Sequence, residues 1–305
     1  MKYIHTFSKE TAVSQVALGC MRIANLSPAE ADRYVKSALL MGYNYFDHAD
    51  IYGGGECEAV FGRVLAAEPS LRDKLVIQTK CGIRAGMYDF SREHLLAAVD
   101  GSLRRLGVEK IDVLLLHRPD LLMEPEKVAD VFDRLEKEGK VGAFGVSNHS
   151  PAQIELLCKY VKQPLVINQL QLSIPCATMI SSGANVNLPG KDGTVYDGYV
   201  RDYCRLHGIT VQPWSPLQYG FFEGAFLASE KHASLNKTIR ELAEKYNVTD
   251  TGMAIAWLLR LPEKMQPIIG SVNERRLGEI AAAADIDLSR EDWYAIYRAA
   301  GYVLP

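Results

Sequence analysis

With 305 residues, 48% hydrophobic and 23% charged, the chain can bury a large core as one barrel or as two smaller domains. Its 34 basic and 37 acidic residues leave a net charge of -3, and there is no long basic run, so nucleic acid is excluded as an expected partner. No stretch approaches the roughly 20 apolar residues of a bilayer span. Met1 to Glu10 is polar where a signal peptide needs an apolar core, so a cytoplasmic protein with no membrane partner is expected.

Lys2 to Gln15 is polar and alternating, and reads as a small hairpin closing the bottom of a barrel. Beyond it, short β-rich runs alternate with longer amphipathic segments. The runs are Val16 to Gly19, Tyr43 to Asp47, Leu75 to Lys80, Ile111 to His117, Val141 to Ser147, Leu165 to Gln169, Ile209 to Trp214 and Pro267 to Gly270. Between them lie helical patterns such as Ser27 to Leu40, Ser91 to Leu106, Pro125 to Glu138 and Pro151 to Val161, with Ser91 and Ser150 as caps. Val113-Leu114-Leu115-Leu116 is apolar at successive positions, as suits a parallel strand covered on both faces. Eight such units in a chain of this length predict a closed (β/α)8 TIM barrel. Leu172 to Tyr199 breaks the repeat with glycines and prolines that include Gly183, Pro189, Gly190, Gly193 and Gly198, and its Lys191-Asp192-Gly193 reads as the turn of an inserted hairpin or loop. Beyond Leu235 there are more helices than one unit needs, with Asp250 as a cap for the helix running to Leu261. No internal repeat and no low-complexity linker appears, so residues 1–305 read as one domain.

The six cysteines show no C-x-x-C pair, and free thiols are expected; the seven histidines form neither H-E-x-x-H nor a Cys/His cluster, so no metal is expected. In a barrel of this kind, ionisable residues at the carboxyl ends of the strands are the first candidates for chemistry. Asp47 ends the second strand, Tyr52 lies in the loop after it, Lys80 ends the third and His117 the fourth. Each has a structural reading of its own: a loop cap, a packed ring, a solvated strand end, a core histidine. As a set they form an acid–base constellation. A tyrosine, with a pKa of about 10, is a poor acid at neutral pH unless a cation steadies its phenolate. Lys80 can supply that cation, Asp47 can keep Lys80 charged in a dry mouth, and His117 can donate a hydrogen bond to a substrate carbonyl. Gly53-Gly54-Gly55 does not come after a first strand as a dinucleotide fingerprint does, and reads as a turn opening the next helix. His48 and Asp50 flank the set in sequence and are left outside it. Met87, Tyr88, Tyr219, Phe221 and Phe222 fall in loops near the mouth, where either a pocket lining or ordinary packing accounts for them.

Over nearly its whole length the sequence resembles the aldo-keto reductase family, in its bacterial oxidoreductase branch. Phe46 to Gly53 matches the family's F-D-x-A-x-x-Y-G signature, and Lys80 and His117 match the other members of its catalytic tetrad. Gly145-Val146-Ser147-Asn148 resembles the strand-five motif whose Ser and Asn, with a Gln such as Gln169, hold a nicotinamide carboxamide. Trp214-Ser215-Pro216-Leu217 resembles the motif whose aromatic ring stacks on the nicotinamide, with Trp in place of the more familiar Tyr. Ile268 to Arg276 resembles the segment that grips the adenosine phosphates. Gly270 stands where many members have Lys, which leaves Arg276, with Ser271 and Asn273, to hold a 2'-phosphate. The resemblance also implies cofactor contacts from Gly19, Cys20 and Met21.

The resemblance thus implies an oxidoreductase that reduces a small-molecule aldehyde or ketone with NADPH, in preference to NADH, as a monomer or small homo-oligomer. Tyr52 would be the proton donor. Two other readings stay open: an aldolase-type barrel using Lys80 as a Schiff-base nucleophile, and a nicotinamide-sensing regulatory subunit with little turnover.

Overall fold

Residues 1–186 and 197–304 are described by a computed structural model. Eight strands pair in parallel: β1 (Ala17–Gly19), β2 (Tyr45–Asp47), β3 (Val76–Cys81), β4 (Ile111–Leu116), β5 (Val141–Ser147), β6 (Leu165–Gln171), β7 (Thr210–Trp214) and β8 (Ile268–Ile269). Neighbours in the chain are neighbours in the sheet, and β8 lies beside β1. The last gap is bridged where Val211 of β7 pairs in parallel with Met265, just ahead of β8. The sheet closes on itself as the (β/α)8 TIM barrel expected from the alternation.

Parallel neighbours need crossovers, and helices supply them: α1 (Pro28–Leu40), α2 (Glu56–Ala67), α3 (Arg92–Leu106), α4 (Pro125–Lys137), α5 (Pro151–Cys158), α6 (Thr178–Ala184), α7 (Val200–Leu206), α8 (Ala233–Lys245), α9 (Asp250–Leu259), α10 (Glu274–Ala283) and α11 (Arg290–Ala299). Ser27 and Ser150 make reciprocal capping boxes with Glu30 and Gln153, and Ser91 accepts from the His94 N–H. The cap of α9 is Thr249, whose hydroxyl accepts from the Gly252 N–H; Asp250, expected as the cap, sits in the first turn, facing the helix's positive end.

The strand period of two divides the side chains between two cores. Outward residues meet the helices in the main core. Inward, Val13, Ala17, Tyr45, Val76, Val113, Leu115, Ala143, Ile167 and Ile268 fill the barrel, and Ile4 and Phe7 pack against them. Those last two belong to the N-terminal segment, where Tyr3–Ile4 pairs antiparallel with Val13–Ser14; the small hairpin closes the base as expected. The insertion after β6 is less loop-like than its glycines suggest, for Thr178–Ala184 is helical; the Lys191-Asp192-Gly193 turn lies outside the described residues. Among the described residues no helix is long and apolar enough to cross a membrane.

Candidate active site

Alternation explains why ionisable groups meet at the top of the barrel. In Tyr45-Phe46-Asp47 the outer residues of the triplet point inward, while Phe46 turns out to meet Phe61 of α2 at 5.1 Å between ring centroids. The same period turns Val76, Gln78 and Lys80 of β3 inward, and Thr79 outward, where its hydroxyl donates to the fully buried Glu58 at 2.6 Å. Register sets Asp47 opposite Gln78, and Lys80 opposite Leu115, two residues ahead of His117.

Lys80 is 0% exposed. Its ammonium donates to both oxygens of Asp47, at 2.6 and 2.7 Å, and to the His48 carbonyl at 2.7 Å. Those three bonds use all its protons. Burial works to discharge Lys80, but Asp47 and Tyr52 together outweigh it and its pKa lies above the ordinary lysine value. The charge sits 5.1 Å from the centroid of the Tyr52 ring. Burial pushes Tyr52 above the ordinary tyrosine value while the Lys80 charge pulls it down, and burial wins. Tyr52 therefore stays protonated at neutral pH, ready to donate. The His117 ring lies 6.0 Å from that of Tyr52, edge-on. Burial, then the charges of Lys80 and Arg118, hold His117 well below its ordinary pKa, so it is a neutral imidazole. Asp47, Tyr52, Lys80 and His117 thus share one mouth.

The loop carrying Tyr52 has its own supports. Gly53, Gly54 and Gly55 take φ of 59, 64 and 97°, a run that side chains disfavour. A Cβ on Gly55 would also lie 2.8 Å from Arg105, the partner of Glu58 at 2.7 Å. Next to this pair the Asp50 carboxyl is pushed up to about 7, by burial first and then by Glu58. His48, left outside the set on sequence grounds, is fully buried, with its ring 4.6 Å from Phe61.

The residues implied for a dinucleotide lie around the same rim. Ser147 ends β5 and Asn148 follows it; the Asn148 side chain donates to Ser147 Oγ at 2.7 Å and accepts from the Trp214 indole at 3.0 Å. Gln169 gives its amide protons to Asp47 and Gln212, at 3.1 and 3.2 Å, so a grip on a carboxamide falls to its Oε1. The Trp214 ring already has neighbours: Phe222 stacks on it at 5.8 Å, Phe221 meets it edge-on, and the Arg118 guanidinium lies 5.5 Å away. Ser215, Pro216 and Leu217 lead from Trp214 into the hairpin Gln218–Tyr219/Gly224–Ala225 that carries both phenylalanines. Met87–Tyr88 forms the exposed arm of a second hairpin with Ile83–Arg84.

On the β1–β8 side, Met21 is exposed, whereas the Cys20 thiol is turned into the core, which leaves only its backbone for a ligand. A Cβ on Gly19 would lie 3.0 Å from Ile268, and the Gly270 carbonyl accepts from Arg22 at 2.8 Å. Asn273 caps α10 by accepting from the Arg276 N–H, so its side chain serves the helix; Ser271 Oγ accepts from the Asn273 N–H. Arg276, exposed in the first turn, has no carboxylate partner among the described residues. A free guanidinium beside a helix N-terminus fits a phosphate, and the amide and hydroxyl groups of β5 and β6 fit a carboxamide. Among the described residues no group of three or more His, Cys, Asp or Glu could hold a metal ion.

Sequence reasoning passed over Arg118, directly after His117, and three buried glutamines, Gln78, Gln212 and Gln266. The signal for Gln78 was present: two residues ahead of Lys80, it must share the inward face.

The model of the aldo/keto reductase family matches residues 15–300. A 6-dehydroglucose reductase of Agrobacterium fabrum is 34% identical over 95% of this chain and 95% of its own. Another, of Novosphingobium aromaticivorans, is 36% identical over 95% of this chain and 92% of its own. A solved thermostable aldo-keto reductase, crystallised with the inhibitor epalrestat, superimposes with a TM-score of 0.79 over 98% of this chain and all of its own; at 24% identity it speaks for the fold.

Proposed function

The chain belongs to the aldo/keto reductase family and is an oxidoreductase, and from that premise we propose that it reduces aldehyde or ketone carbonyls to alcohols with NADPH, Tyr52 giving the proton. The observation that carries this reading is the buried ion pair of Lys80 with Asp47 against the Tyr52 ring, with neutral His117 edge-on to it. When bound, the nicotinamide supplies a hydride to the carbonyl carbon.

The protein's own groups account for the rest. His117, uncharged, donates one N–H to the carbonyl oxygen and orients it. As negative charge grows on that oxygen, Tyr52 transfers its hydroxyl proton, because an alkoxide is far more basic than a phenolate. The phenolate left behind faces Lys80, whose charge Asp47 maintains. Ser147, Asn148 and Gln169 would hold the carboxamide, Trp214 the ring face, and Arg276 the 2'-phosphate. The working protein is proposed as one domain in the cytoplasm, a monomer or small homo-oligomer.

Tyr52→Phe keeps the ring but removes the proton. Cofactor binding, tracked by fluorescence, should persist, while single-turnover hydride transfer should fall by at least about 10²-fold. The substrate panel should span aldehydes, ketones and sugar-derived carbonyls, the last because two relatives are 6-dehydroglucose reductases. A wild-type rate for Tyr52→Phe on a good substrate would remove Tyr52 from this role.

A further inference from the structure

The barrel interior holds a line of side-chain amides that take no part in the proposed proton transfer. At the base, Gln266 Nε2 donates to the Ser14 carbonyl at 2.8 Å. Gln212 Nε2 donates to Gln266 Oε1 at 2.8 Å, and Gln78 Nε2 to Gln212 Oε1, again at 2.8 Å. The second proton of Gln78 goes to Asp47 Oδ1 at 2.5 Å, and Gln78 Oε1 accepts from the Tyr45 hydroxyl at 2.8 Å. Every member is at most 3% exposed, Asp47 and Lys80 included.

Direction matters in this line. Gln78 sends one N–H up to the carboxylate and one down the ladder, an orientation that the Tyr45 hydroxyl fixes by donating to its oxygen. Both of its amide protons are used, and its oxygen accepts one bond. Asp47 receives N–H groups from Gln78, Gln169 and Lys80, and accepts on both oxygens. A buried ion pair holds its charges only when further hydrogen bonds replace the lost water, and the amides do that here.

We infer that Gln78 is a positioning residue: by donating to Asp47 it holds the carboxylate aimed at Lys80, and so sets the pH range over which Tyr52 can work. The inference rests on the proposed role of Tyr52. The titratable groups facing Gln78 are Tyr45 and Asp47 on β2 and Lys80 on its own strand, with Tyr52 and His117 beyond them at the mouth and the buried Cys20 thiol, after β1, close enough to Asp47 and Lys80 to feel both charges. Asp112 of β4 faces outward to Arg72, at 2.9 Å. The facing residues of β6 and β7 are Gln169 and Gln212, which do not titrate.

Three variants test it: Gln78→Leu, which removes the donor; Gln78→Glu, whose protonated form keeps an O–H for Asp47 and an acceptor for Tyr45; and Gln266→Leu, which cuts the ladder at its far end. For Gln78→Leu the expectation is unchanged NADPH affinity and KM, a fall in kcat of about 10- to 10²-fold, and an alkaline limb of the rate profile moved to lower pH, since Lys80 loses its proton sooner once the carboxylate is no longer held against it. Gln78→Glu should approach wild type at acid pH and decline steeply as the new carboxyl ionises against Asp47. Gln266→Leu should leave both kcat and profile near wild type. A folded Gln78→Leu with the wild-type kcat and profile overturns the inference. So does an equal loss at all pH in both Gln78 variants, or a matching loss in Gln266→Leu; either would mean that the amides only fill space. If Tyr52→Phe is inactive while the Gln78 variants are silent, this inference alone fails.

Discussion

Arg276 shows how a single side chain supports a proposed role by what it lacks. Its neighbours are engaged: Arg275 pairs with Glu279 at 3.0 Å, and Glu274 with Arg33 at 2.9 Å. Arg276 keeps its charge free among the described residues, in the turn where the dipole of α10 also favours an anion. Only NADPH presents a 2'-phosphate for it. A hydrogen bond to a charged group contributes about 1.5–3 kcal/mol, so Arg276→Ala should weaken NADPH by about 10- to 10²-fold and leave NADH nearly unchanged in a fluorescence titration. Equal weakening of both would move the phosphate site elsewhere. The position of Arg276 was legible through its family motif. Gln78 was not singled out, because a glutamine carries no charge to attract notice and its importance appears only once strand register sets it opposite Asp47.

Between elements, close approach outweighs local preference. Gly62 lies in the middle of α2, where alanine is favoured by about 1 kcal/mol. Yet a Cβ there would lie 2.2 Å from the carbonyl oxygen of Arg105, backbone that ends α3 and cannot swing aside. Overpacking costs about 1–3 kcal/mol, and the shift would disturb the Arg105–Glu58 pair beneath the Tyr52 loop. Gly62→Ala should therefore lower the urea midpoint without changing the slope; a higher midpoint would show that the two helices can part freely. This contact is invisible in sequence, where Gly62 reads as a weak point in a helix. The eight barrel strands were legible because short β-rich runs alternate with longer amphipathic segments along the chain. The hairpins Ile83–Arg84/Met87–Tyr88 and Gln218–Tyr219/Gly224–Ala225 were not read as strands, since two-residue arms carry no periodicity. Thr249 was missed as a cap because Asp250 beside it fits the same rule.

Across the whole molecule the barrel interior combines apolar residues with a line of amides that leads up to charged and titratable groups at the mouth. That arrangement loads the interior with groups whose proton affinity changes on unfolding. Burial holds His48 at about 3 and His149 at about 4, and keeps His117 well below its ordinary value. Each takes up a proton when the chain unfolds below about pH 6.5. Asp50, pushed up to about 7 by burial, does the reverse and gives one up. Three uptakes against one release leave a net uptake of two protons, so the unfolded state gains as pH falls. Stability should be greatest above about pH 6.5 and decline toward about pH 4, at up to about 3 kcal/mol per pH unit where all four groups differ fully. His149 offers the cleanest check, because its ring lies parallel to Phe90 at 6.3 Å and a phenylalanine can take its place. His149→Phe gives up the hydrogen bond to the Ser147 carbonyl at 3.0 Å and lowers stability at neutral pH. Its dependence on pH should nonetheless be shallower by one proton, about 1.4 kcal/mol per unit. Urea unfolding at a series of pH values measures both quantities, and a His149→Phe curve parallel to wild type would mean that this histidine is protonated in the folded barrel.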